Sequence, residues 1–117
     1  MSVFSKQELD YLTGERPLAH KLGRLATIGT DGMPHVVPVG WSLGPDAETV
    51  HVNGRDNAAS KKFRDVAASG VAALVIDDVL PPWLPRGVEI RGRATTVGDT
   101  IVIHPTRVVS WGMEIHD

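Results

Sequence analysis

From Leu25 onward, short extended runs rich in β-branched residues follow one another with turn residues between them, and a single stretch, Asp56 to Ser69, interrupts that rhythm with a helical period. That order excludes an alternating βαβ sheet, which needs a helix between successive strands, and favours a mostly antiparallel barrel of six or seven strands. With 117 residues the chain is long enough for one core, so residues 1–117 are expected to form one domain.

The runs are read as follows. Leu25 to Thr30 is a strand, Asp31-Gly32 its turn, and His35 to Trp41 the hairpin partner, with Val37, Val39 and Trp41 on one face and Val36, Pro38 and Gly40 on the other. Pro38 has no amide to give a ladder, so that strand belongs at a sheet edge or is interrupted there. Gly44-Pro45-Asp46 is a turn and Thr49 to Asn53 a third strand. In the helix that follows, Ala58, Ala59, Phe63, Val66 and Ala67 share an apolar face, and Gly70 ends it. Val71 to Asp77 is almost unbroken apolar sequence and reads as a strand buried on both faces. Three prolines make Asp78 to Gly87 an ordered loop anchored by Trp83. Gly87 to Val97 alternates, Gly98-Asp99 is a tight turn, and Thr100 to His104 points Ile101 and Ile103 inward until Pro105 interrupts it. Arg107 to Met113 is a last short strand. Ahead of all this, Ser5-Lys6-Gln7-Glu8 has the form of a capping box for a helix that stops near Gly14, and Pro17 to Leu22 reads as a second short helical turn.

Composition narrows the chemistry. Twelve basic against fourteen acidic residues leave a net charge of -2, which argues against a surface built for nucleic acid, and aromatic residues at 5% are too few for base stacking. The absence of cysteine excludes disulfides, thiolate metal sites and cysteine nucleophiles and is compatible with a cytoplasmic setting. The longest apolar run is far short of the roughly 20 residues that span a bilayer. The five histidines form no pair at metal-ligand spacing, and no serine sits in a nucleophile elbow. An enzyme with so few acid, base or nucleophile candidates must lean on a cofactor.

Two stretches point to where a cofactor would lie. Asn53-Gly54-Arg55-Asp56 leaves a strand and enters a helix with Arg55, Ser60, Lys61 and Lys62 close to its start. Cations there oppose the helix macrodipole by about 0.3–1 kcal/mol each, a penalty that a bound phosphate would reverse. The competing reading is a solvated basic helix flanked by Asp56 and Asp65. The other stretch is Val36 to Val39, where the proline leaves backbone groups free for the edge of a planar ligand, or simply protects an edge strand.

Gly23 to Gly29, Asp31 to Val39, Ala59 to Asp65, Pro85 to Ala94 and Ile103 to Gly112, taken in order, resemble the pyridoxamine 5'-phosphate oxidase-like split β-barrel superfamily, and within it the F420-dependent group. The resemblance implies an antiparallel split barrel of the FMN-binding type, with a helix between the third and fourth strands, that forms a homodimer holding F420, or alternatively FMN, at the subunit interface. It implies phosphate contacts from Arg55, Ser60, Lys61 and Lys62, ring contacts from Val37, Pro38 and Val39 with Asn53 and Gly54 nearby, and closure by Trp111. Hydride transfer to an unsaturated small molecule is the implied reaction, with a non-catalytic flavin or F420 carrier as the other possibility. Vitamin B6 oxidases of the superfamily are longer, with substrate-phosphate residues not found here. Relatives of the F420 type have a longer connection than Val97 to Thr100. Arg24, Arg86 and Arg91 are the candidate cations for the carboxylates of the F420 tail.

Overall fold

The computed structural model describes residues 2–14, 22–54 and 57–115. Helix α1 (Lys6–Thr13) starts with the expected capping box: the Ser5 hydroxyl accepts from the Glu8 amide at 3.1 Å and the Glu8 carboxylate accepts from the Ser5 amide at 2.8 Å. The other Glu8 oxygen accepts from the Ser110 hydroxyl at 2.6 Å, so the cap also fastens the helix to the last strand. Gly14 ends the helix. Pro17 and Leu18, of the second expected helical turn, lie outside the described residues, and Leu22 is exposed.

Seven strands follow: β1 (Gly23–Ile28), β2 (Pro34–Val39), β3 (Ser42–Leu43), β4 (Val50–Val52), β5 (Val71–Leu80), β6 (Leu84–Val97) and β7 (Thr100–Trp111). Helix α2 (Lys61–Ser69) lies between β4 and β5. All pairings are antiparallel in the order β2-β1-β5-β6-β7-β4-β3, and the sheet curls as a split β-barrel. Leu25, Leu74, Val88, Ile90, Ile101 and Ile103 fill its interior with no exposure. At roughly 25 cal/mol per Å² of apolar surface removed from water, these side chains dominate the folding free energy. Among the described residues no helix is long and apolar enough to cross a membrane.

Several local expectations need correction. The two-residue β3, which pairs Ser42 with His51 and Leu43 with Val50, is too short to leave a sequence pattern. In α2 only Phe63, Asp65 and Val66 turn inward, while Ala58, Ala59 and Ala67 are exposed, because the helix begins at Lys61 after a 3-10 turn at Asn57–Ala59. Strand β5 buries Ala72, Leu74 and Ile76 but leaves Ala73 and Val75 half-buried and Val71 exposed, so its apolar run covers one face.

The segment read as a loop, 78–87, is a hairpin: β5 runs on to Leu80, Pro81 and Pro82 make the turn through a cis peptide bond, and β6 begins at Leu84. Its prolines concentrate in the turn. The flanking strands are held by the cross-strand pair Asp78 and Arg86. Trp83 at the tip is 74% exposed, so it is not the expected anchor among the described residues.

Pro105 does not stop β7. Arg91 pairs with Arg107 and Gly92 with Pro105, which leaves Thr106 as the extra residue of a β-bulge. The bulge absorbs the missing amide and lets the strand continue to Trp111. It also requires Gly92, because a Cβ there would fall onto the His104 carbonyl.

Candidate functional site

The start of α2 is organised by its own serine. Ser60 is the N-cap, accepting from the Phe63 amide at 3.3 Å and donating to the Asn57 carbonyl at 2.6 Å. Lys61 then places its ammonium 3.0 and 3.2 Å from the two oxygens of Asp65, one turn later. Asp65 is only 5% exposed and also accepts from the Thr27 hydroxyl of β1 at 2.9 Å. Asp65 is therefore no solvated flank. It fixes the lysine against the end of the barrel while the lysine side chain remains 50% exposed. A Cβ on Gly29, just beyond β1, would come within 2.9 Å of an Asp31 carboxylate oxygen and 3.1 Å of that ammonium, so the bare backbone there lets both charged groups approach the turn. Lys62 makes no ion pair among the described residues, and Arg55 lies outside them.

Burial pushes the Asp65 carboxyl up, but the Lys61 ammonium and the Thr27 hydroxyl outweigh it and hold the group below the usual carboxylate range. A carboxyl depressed in the folded state contributes stability above its unfolded value, and that contribution is lost as pH falls through the folded value. Thr27→Val removes one lowering contact. It is expected to narrow the gap in melting temperature between about pH 7 and about pH 3 and to end the acid loss at a higher pH, because the folded value moves up toward an unchanged unfolded one. An acid profile identical to wild type would show that Thr27 does not hold the carboxylate.

Strand β2 is a sheet edge, as its proline requires. The Gly29 amide donates to the Met33 carbonyl at 3.0 Å, and alternation from that pair makes Val37 and Val39 exchange hydrogen bonds with β1. Pro34 and Pro38 then fall where the amide would face outward. Both prolines sit where they cost no ladder bond. Of the three residues expected at a cofactor ring, Val39 is buried and Val37 half-buried, and Pro38 alone turns its side chain and carbonyl to the free edge.

The loop after β4 is tied to the β6–β7 turn. Asn53 accepts from the Thr100 hydroxyl at 2.7 Å, and Asn57 donates to the carbonyls of Val52 at 3.2 Å and Asp99 at 2.6 Å. Asn57 is 1% exposed, and its side-chain oxygen, on the side of Gly54, has no hydrogen-bond partner among the described residues. Nothing in the sequence marked Asn57, whose neighbours are polar and small.

Trp111 is elsewhere. It stands opposite Gly87, one residue beyond the row Val39, Gly23, Ile76, Val88 and Ser110. Four inter-strand steps separate it from β2, about 19 Å along the sheet at ~4.8 Å per step. Lys61, beside Gly29, is at the other end of β1 from Gly23, about 20 Å away at ~3.3 Å per residue. One chain brings Ser60, Lys61 and the β1–β2 turn together, and Asn53, Gly54 and Asn57 together, but not Trp111 with either. The three candidate cations each have a carboxylate partner: Arg24 pairs with Asp77 at 3.1 Å and Arg91 with Glu89 at 2.9 Å on the surface, and Arg86 is buried against Asp78 at 2.8 Å.

Residues 14–106 match the family described as pyridoxamine 5'-phosphate oxidase. The chain belongs to this family. A 5a,11a-dehydrotetracycline/5a,11a-dehydrooxytetracycline reductase from Streptomyces rimosus is 38% identical to this oxidase-family chain over 125 residues, covering 95% of it and 84% of the relative. Among solved structures, an F420 reductase superposes with a TM-score of 0.63 at 21% identity, over 86% of this chain and 94% of the other. An FAD-binding protein from Mesorhizobium loti gives 0.66 at 18% identity, over 92% and 91%. These likenesses make the family member an oxidoreductase on a fold that serves flavin-type cofactors.

Proposed function

We propose that this oxidoreductase is an F420-dependent reductase acting on an unsaturated small molecule in the cytoplasm, as a single-domain homodimer with the cofactor at the subunit interface. The observation that carries the reading is the half-exposed Lys61 ammonium, held in place by buried Asp65 beside the bare backbone of Gly29. That cradle fits an anionic tail: the cation is preset, so little side-chain entropy is lost on binding. Lys62 adds the charge that Asp65 takes from Lys61, Arg55 joins from the sequence motif, and Ser60 orders the helix start through its cap.

When bound in its reduced form, F420 would supply the hydride that no side chain of this chain provides, and the accompanying proton would come from solvent. The chain's own residues bind and orient. Pro38 offers its carbonyl and ring at the free edge of β2, Val37 and Val39 hold that edge in register, and Asn53 and Gly54 are assigned to the same ring by the family resemblance alone. The separation of Trp111 from these groups supports a site completed by a second copy. The exposed apolar side chains of Ile28, Met33 and Val36 around β2 favour the same arrangement. FMN is the second reading, favoured by the flavin-type neighbours.

Parallel titration of the cofactor-free protein with F420 and FMN, followed by fluorescence and melting temperature, tests the reading. F420 is expected to bind tightly and FMN weakly. Lys61→Ala is expected to weaken F420 binding by about tenfold or more, from loss of a charge-assisted contact, with a smaller effect on the melting temperature of the free protein. Unchanged affinity in a cooperatively folding variant would sink the assignment.

A further inference from the structure

On the outer face of the sheet, away from the packed interior, lies a cavity of about 440 Å³ bounded by β1, β2, β5, β6 and the bulge. Its cause is local. Ala26 and Ala73 stand side by side in register, and their small outward side chains leave a depression between Ile28, Val71 and Pro34 on one side and Arg91 and Arg93 on the other. One wall is apolar and the other cationic. The volume falls within the range of ordinary ligand sites, which combine apolar walls with a few placed polar groups.

The charge on that wall is only partly compensated. Arg91 is paired with Glu89 but faces Arg107 directly across the strands, and like charges so placed repel. Neither Arg93 nor Arg107 makes an ion pair among the described residues. Half-buried His104 stands opposite Arg93. A second copy meeting this patch about a twofold axis through it would set arginines against arginines, whereas an anion relieves the repulsion. We infer that the cavity is a binding site for a flat, largely apolar organic anion, such as an aryl carboxylate or an enolate, whose ring lies over Ala26 and Ala73 and whose charge is received by Arg91 and Arg93. Neither Lys61 nor Pro38 lines this site, although Thr27, Ile28 and Pro34 at its rim flank the β1–β2 turn beside Lys61. It goes beyond the reductase reading and does not depend on which cofactor is used.

A matched pair of dyes tests it on the full chain: 8-anilinonaphthalene-1-sulfonate, and the uncharged N-phenyl-1-naphthylamine. The sulfonate is expected to bind one saturable site, about tenfold tighter than the neutral dye, and Arg93→Ala is expected to erase that difference by weakening the sulfonate alone. Ala73→Trp fills the depression and is expected to abolish binding of both dyes while leaving F420 or FMN binding unchanged. Equal affinity for the two dyes, or sulfonate binding unaffected by Arg93→Ala, overturns the proposal. So does dye binding that weakens as protein concentration rises, which would assign the cavity to a second copy. Loss of the dye in Lys61→Ala would equally overturn it, because the probe would then be reporting the cofactor cradle.

Discussion

Arg86→Ala is expected to lower the stability of the chain by about 3–5 kcal/mol, the cost of removing one partner from a buried ion pair. Arg86 is 1% exposed, although arginine is among the residues least often found inside. Its guanidinium meets both oxygens of Asp78 at 2.8 and 2.9 Å, donates to the Ile115 carbonyl at 3.2 Å, and lies 5.2 Å from the centre of the Tyr11 ring. The alanine variant would strand a nearly buried carboxylate and also release α1 and the C-terminal segment. Arg86→Ala,Asp78→Asn should recover part of the loss because it neutralises the stranded charge. Urea denaturation reads both. A single variant within about 1 kcal/mol of wild type would mean that water replaces the guanidinium. Burial, and then the hydrogen bond to Asp78, raise the ionisation of the Tyr11 hydroxyl above its ordinary range, so it remains a donor, and Tyr11→Phe should cost about 1.5–3 kcal/mol, as for a hydrogen bond to a charged group.

The second large effect is expected at the bulge. Gly92→Val places a Cβ into the His104 carbonyl, with Pro105 Cα 3.1 Å away, and neither backbone can step aside without giving up the register of β6 with β7. A loss of at least about 2 kcal/mol follows from overpacking against immobile atoms. Gly40→Ala is the control: a Cβ there meets nothing within 4 Å, and its change should stay within about 1 kcal/mol of zero. Because the bulge sets Arg91 and Arg93 beside the outer cavity, Gly92→Val should also weaken binding of the sulfonated dye. Equal stability of the two glycine variants would mean that the bulge relaxes freely.

The strands were legible where one face is buried, because Val88, Ile90 and Ala94 alternate with polar residues and leave a period of two. Pro38 narrowed β2 to a sheet edge or an interrupted strand, and the strand order makes it the edge. What escaped depends on register. Asp78 and Arg86 are eight residues apart and meet only because the hairpin pairs them, so Arg86 read as a candidate cation for the F420 tail and the hairpin as a loop. Pro105 read as a strand end because the compensating residue, Gly92, belongs to another strand. At the site, the basic start of α2 stood out because cations are unfavourable there. The burial of Asp65 did not, since a lysine and an aspartate four apart are usually a solvated pair. Trp111 was matched to the site by resemblance, and only the strand register reveals how far it stands from Pro38 within one chain.

The strand order carries a consequence for how the chain acquires its shape. The hairpins β1–β2 and β3–β4 occupy opposite ends of the strand order; Gly40 and Trp41 link them along the chain, but in the hydrogen-bonded ladders they are connected only through β5, β6 and β7. Leu25 must wait for Leu74, and Val50 for Ile103, before either hairpin has a second neighbour. Pairings so distant in sequence close slow loops and place such chains in the millisecond-to-second range of folding. During synthesis the amino-terminal half therefore emerges as two orphan hairpins, and the strand that unites them is the last to leave the ribosome. Pro34 and Pro38 then serve the nascent chain as much as the finished one, by denying a foreign strand the rim of β2 while its own sheet is still incomplete.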